Sequence, residues 1–170
     1  PVLPLKNTVV FPGAMAPLAI GEERSIRLIN DVVDSSTRMI ALVTSKDGDT
    51  TEPGPDLLYD VGTAAVIQRM MKAPDGTLRI LAQGVERIRI DHYTTTTPYL
   101  VATVEAMPQE PASSREIEAL SRNIQSIFSR IIDLVPYLPD ALELAVSNVQ
   151  APTLLTYIVA ASMRFTTEEK

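Results

Sequence analysis

The chain holds one histidine, His92, and no cysteine. A single imidazole excludes a multi-histidine metal centre, and the lack of thiols excludes a disulfide framework, a thiolate metal site and a cysteine nucleophile. His92 follows Asp91, but a base without a neighbouring nucleophile argues weakly for catalysis. It reads as a surface residue at a strand end. The carboxylate pairs Glu22-Glu23 and Glu168-Glu169 suit a helix start and a solvated tail respectively; acid–base work would require their convergence in a pocket. The run Thr94 to Thr97 reads as exposed strand or loop. The phosphate-cradling GxxxxGK[ST] and GxGxxG patterns are missing, as are HExxH and GxSxG. No catalytic residue, metal site or cofactor is therefore expected.

What remains is binding chemistry, in two places. The opening stretch PVLPLKNTVVFPGAMAPLAIG carries one charge, Lys6. Read as a loop, it presents Pro12, Met15, Pro17 and Leu18 as apolar surface. A binder of non-native chains needs such a patch, and pliable Met suits many partners. The competing reading puts Met15 and Leu18 in the core between a strand and a helix. Leu18 fits that better, while Met15 fits both equally. The second place is a hairpin around Pro74-Asp75-Gly76, whose strands carry Arg69, Lys72, Arg79, Arg87 and Arg89. If Ala73 pairs with Thr77, Met71 faces Arg79 and Arg69 faces Leu81 on one side of the sheet, with Met70, Leu78 and Ile80 on the other. A mixed apolar and basic face suits acidic or aromatic stretches of a substrate; subunit contact or ordinary surface explains it equally well. Net charge is −6, which disfavours nucleic acid, since phosphate-backbone affinity comes from Lys and Arg.

These residues need elements to hold them. At 170 residues, 45% of them hydrophobic, the chain is long enough for a packed domain with an appended subdomain. The first 108 residues read as mostly β. Val2 to Phe11 is strand-like, interrupted at Lys6-Asn7. Ile26, Ile29, Val32 and Val33 lie at helical spacing, closed by Asp34-Ser35-Ser36. Met39 to Thr44 is a short continuous strand, followed by a loop from Ser45 to Asp60. Val61 to Lys72 and Thr77 to Ile90 form the hairpin, because Asp-Gly accepts the positive φ of a tight turn. A bulge near Gly84 is expected, since without one Glu86 would share the inward face. Thr94 to Ala106 is one more strand.

The composition shifts between Pro108 and Ser114. Beyond it, Ser113 and Glu116 have capping-box spacing. Ile117, Leu120, Ile124, Ile127, Ile131 and Leu134 form an apolar stripe expected to be the buried seam of one long helix, ended by Pro136 and Pro139. A second helix is expected from Pro139-Asp140 to Asn148, and a third from Ala151-Pro152 to Phe165. The expected class is α+β: a β-rich domain over 1–108 and a helical subdomain over 109–170. Leu154 to Phe165 is too short and too polar for a membrane span, so no membrane partner is expected. Because the first residue is proline, the lack of a targeting segment is uninformative.

In order and spacing, "PVLPLKNTVVFPG", "PLAIGEERSIRLI", "LLYDVGTAAVI", "PDGTLRILAQGVERIRI" and "YLVATVE" resemble the N-terminal domain of Lon, the ATP-dependent protease. The ending "RFTTEEK" resembles the approach to the long connecting helix of that family. The resemblance implies a PUA-like β-rich fold followed by a helical subdomain, in a cytoplasmic hexamer. It implies recognition of unfolded or damaged proteins and homo-oligomer assembly through the full-length protein. The family's ATPase motifs and Ser-Lys dyad lie downstream, and nothing here matches them. The substrate-binding candidates are Pro12, Met15, Pro17, Leu18, Met71 and Leu81. The alternative is a stand-alone Lon-domain adaptor or ligand-binding module; RNA binding by PUA-like analogy is disfavoured by the negative charge.

Overall fold

A computed structural model describes residues 1–108, 114–135 and 140–170. It divides into two compact units, Pro1–Pro108 with Thr166–Lys170, and Gln109–Phe165. The first unit is built on β1 (Val2–Leu5), β2 (Met15–Ile20), α1 (Glu23–Val33), β3 (Met39–Thr44), β4 (Val61–Lys72), β5 (Leu78–Thr95) and β6 (Val101–Ala106). The strands form one sheet in the order β1-β3-β4-β5-β2, with β6 also paired to β5. β1 runs parallel to β3, and every other pairing is antiparallel. Together with the helices this is an α+β fold.

Each side of the sheet carries a buried cluster. Leu3, Ile40, Leu42, Ile67, Leu78, Ile80 and Ala82 pack with Leu28, Ile29 and Val32 of α1. Val2, Ala41, Val43, Leu58, Ile88 and Leu100 form a second cluster. Successive residues of β3 thus enter different clusters, which is why its sequence is continuously apolar rather than alternating. The long strand β5 serves both clusters through the bulge anticipated near Gly84. Ala64 faces Glu86 and Ala65 faces Gly84, leaving Val85 unpaired and reversing the phase of everything after it. Gly84 is required there, because a Cβ would run into the carbonyl oxygen of Phe11.

Three boundaries in this unit differ from expectation. The opening strand stops at Leu5, where Asn7 adopts φ 50°. The segment that follows is anchored from outside, Thr44 Oγ1 donating to Thr8 O (2.7 Å) and Thr63 Oγ1 to Val10 O (2.6 Å). The supposed loop around Met15 is the strand β2, entered through a turn with Gly13 at φ 80°. The hairpin's second strand continues to Thr95, so Thr94 and Thr95 close β5 rather than open β6. Pro98 breaks the run between them, and the chain turns there to bury Leu100.

The second unit contains α2 (Arg115–Leu134), α3 (Asp140–Asn148) and α4 (Pro152–Ser162). The α2 cap is Ser114, whose side chain accepts from the Ile117 amide at 3.2 Å. Ser113, Pro136 and Pro139, expected to bound the helices, lie outside the described residues. Of the expected seam only Ile131 packs against the helical core, and Ile117 is half-buried. Phe128 and Ile132 are the buried residues of α2, packing with Val146 and Leu155. Leu120 and Ile124 are exposed, as are Ile127 at 57% and Leu134 at 80%. The reason is polar as well as apolar. Gln125 Nε2 donates to the carbonyls of Val146 and Val149, both at 3.0 Å. Gln125, Phe128 and Ile132 share a face by helical spacing, so this anchor turns Ile124 and Ile127 outward. α4 ends at Ser162, where Ser162 Oγ donates back to Ile158 O (2.7 Å).

Candidate binding face

The register of β2, β5 and β4 decides what the opening segment presents. Met15, Pro17 and Ala19 stand opposite Gln83, Leu81 and Arg79 of β5. Across β5, those residues face Val66, Arg69 and Met71 of β4. The hairpin pairing is the one the turn chemistry predicts: Ala73 N–H donates to Thr77 O at 2.8 Å, Met71 faces Arg79, and Arg69 faces Leu81. Because alternate strand residues share a face, Met15, Pro17, Leu81 and Met71 come together on one side of three strands. Met15 and Pro17 of the first candidate site and Met71 and Leu81 of the second thus share one surface.

On that surface Met71 is 66% exposed and Met15 49%. Pro17 is exposed and Leu81 half-buried between its neighbours. Arg69 and Arg79 are exposed, and among the described residues neither sits in an ion pair. Gln68, left unpaired by a second register shift, donates through Nε2 to Gln83 Oε1 at 2.8 Å. The face is therefore a strip of apolar side chains beside two exposed guanidinium groups. Leu18 is not on it: with Ala16 it packs against the α1-side core, opposite Ile80. Pro12 is half-buried in the turn before β2 and outside these rows. Met70 opposes Ile80 on the other side of the sheet.

The tip of the hairpin is stiffened by Asp75, whose carboxylate accepts from Thr77 Oγ1 (2.6 Å) and the Thr77 amide (3.0 Å). Those two hydrogen bonds hold its carboxyl below the usual carboxylate range, with a smaller contribution from Arg79.

One arrangement looks superficially catalytic. His92 Nδ1 lies 2.8 Å from Asp91 Oδ2, and Thr103 Oγ1 lies 3.5 Å from His92 Nε2. The side chains of His92 and Asp91 are more than half exposed on the open sheet, where water competes for every proton. Thr103 was not signalled by sequence, because it reaches His92 only through the β5–β6 pairing. Among the described residues no group of three or more His, Asp or Glu could hold a metal ion. No described helix is long and apolar enough to cross a membrane.

The first unit is an α+β domain with an exposed apolar and basic sheet face. The family model of the ATP-dependent protease La (LON) substrate-binding domain matches residues 1–170. A Lon protease of Koribacter versatilis is 38% identical over 164 residues, covering 96% of this chain and 20% of the relative. Lon protease 1 of Herpetosiphon aurantiacus is 40% identical over 174 residues, covering 99% of this chain and 21% of the relative. The N-terminal domain of Mycobacterium avium complex Lon protease superposes with a TM-score of 0.80 at 17% identity, over 99% of this chain and 85% of that one. A Lon N-terminal domain protein from Xanthomonas campestris superposes at 0.59 and 20% identity, over 96% and 97%. The chain belongs to the Lon substrate-binding domain family, a non-catalytic domain, and spans about one fifth of the curated relatives' length.

Proposed function

We propose that this domain recognises unfolded or damaged proteins for an ATP-dependent protease, and does so with the solvent face of β2, β5 and β4. The observation that carries the reading is the convergence of Met15, Pro17, Leu81 and Met71 beside Arg69 and Arg79. Non-native chains expose apolar side chains that native proteins bury, and methionines repack around many shapes. The two arginines add attraction for acidic residues and stacking for aromatic ones. In this reading 1–108 meets the substrate and 109–170 leads toward the remainder of a cytoplasmic, homo-oligomeric protease. Membership of the Lon family supports that context.

Fluorescence anisotropy tests it. A labelled, reduced and carboxymethylated lactalbumin is titrated with the 170-residue chain and with its Met71→Ser variant. Binding by the parent chain, weakened about three- to tenfold in the variant at unchanged stability, supports the reading. No binding by the parent chain sinks it.

A further inference from the structure

β1 and β2 are the two ends of the strand order and are not paired with each other. A cavity of about 310 Å³ is lined by Leu3 to Lys6 of one end and Pro17 to Ile20 of the other, and also by the start of α1 and the 51–53 segment, where an Arg24 guanidinium nitrogen donates to Pro53 O at 2.9 Å. Following the sheet directions, β1 and β2 run antiparallel across this gap.

The two walls differ in backbone chemistry. In β1, Pro1 O accepts from the Ala41 amide and Leu5 O from the Ser45 amide, so odd residues face β3. Val2 and Pro4 turn away; the Val2 amide is taken by Leu100 O (2.8 Å), and Pro4 has no amide proton. Within Val2–Leu5 the β1 edge therefore has no donor to offer along the cavity. In β2, Ala14 O accepts from the Gly84 amide at 2.9 Å, so even residues face β5. Met15, Pro17 and Ala19 turn their backbone outward. Along the cavity that edge offers the Ala19 amide and the carbonyls of Pro17 and Ala19, and the Met15 backbone continues it beyond the cavity. Pro17 interrupts it once, which shortens any ladder and guards against indefinite edge pairing.

We propose that the groove takes one extended segment of a non-native polypeptide as an added strand on the free edge of β2, with β1 as its opposing wall. The inference rests on the function proposed above and specifies how the substrate is held. Pro17 belongs to both sites: its ring lies on the apolar face and its carbonyl on the edge. A chain lying across the face therefore reaches the edge without a gap. Backbone pairing makes recognition nearly independent of sequence, and it selects for extended, unpaired chain, which folded proteins do not present.

The test uses the 170-residue chain and a fluorescent peptide of alternating leucine and serine. Two isomers carry backbone N-methyl groups on every leucine or on every serine. In an added strand, amides of only one parity face the edge. One isomer should lose affinity about tenfold, the value for two lost backbone hydrogen bonds, while the other binds like the parent. Ala19→Pro removes an outward amide and should weaken the parent peptide several-fold at unchanged Tm. If that variant is unstable, the two isomers on the unaltered chain still decide. Equal binding of both isomers, whether retained or lost, overturns strand addition. Binding of denatured lactalbumin alongside equal isomers leaves the proposed function standing, whereas failure to bind either probe removes both.

Discussion

Met15 and Leu18 are three residues apart in one strand and have opposite fates. Their parity in β2 separates them: Met15 faces solvent opposite Gln83, and Leu18 packs against the core opposite Ile80. Sequence favoured core for Leu18 and left Met15 open, because alternation over so short and proline-broken a segment does not fix register without its partner strand. The two residues make opposite predictions. Met15→Ser should leave Tm within about 2–4 °C and weaken denatured lactalbumin about three- to tenfold. Leu18→Ser should lower Tm first, by burying a hydroxyl and opening a void. Paired thermal melts and anisotropy titrations check both; a lowered Tm for Met15→Ser with normal binding would place Met15 in the core.

At the scale of elements, the hairpin was legible down to its register because Pro74-Asp75-Gly76 is local chemistry, with Gly76 at φ 86° as such a turn requires. Its Asp75 gives a pH prediction. The folded-state carboxyl is depressed by Thr77. Its contribution is present above the unfolded value near about 3.9 and is lost as pH falls through the folded one. Asp75→Asn should therefore flatten the fall in Tm below about pH 4 and change little near neutrality; an unaltered acid limb would contradict this. The long helix was legible as a helix but not in its rotation. Its regular Ile and Leu spacing outweighed Gln125 and Phe128, whose role depends on carbonyls at the end of α3. Phe128→Ala should cost about 3–5 kcal/mol in the helical unit. Ile124→Asp, at an exposed position, should cost about 1 kcal/mol or less. Denaturant melts followed by helical circular dichroism distinguish them, and the reverse order would restore the stripe as the seam.

For the whole molecule, sequence reached the α+β class and the family, since several separate blocks matched in order. It did not reach the union of the two candidate sites. That depends on β2 pairing with β5, a contact between residues about sixty apart in the chain, and no local propensity encodes such a contact. The central claim is that this joint face is where a non-native chain is held. Amide hydrogen exchange, with and without saturating denatured lactalbumin, tests it on the unaltered chain. The account predicts added protection along Met15–Ile20 and along the paired stretches Val66–Met71 and Arg79–Gln83, with little change over α2 to α4. Protection confined to the helices, or absent from β2 while lactalbumin is demonstrably bound, would contradict it.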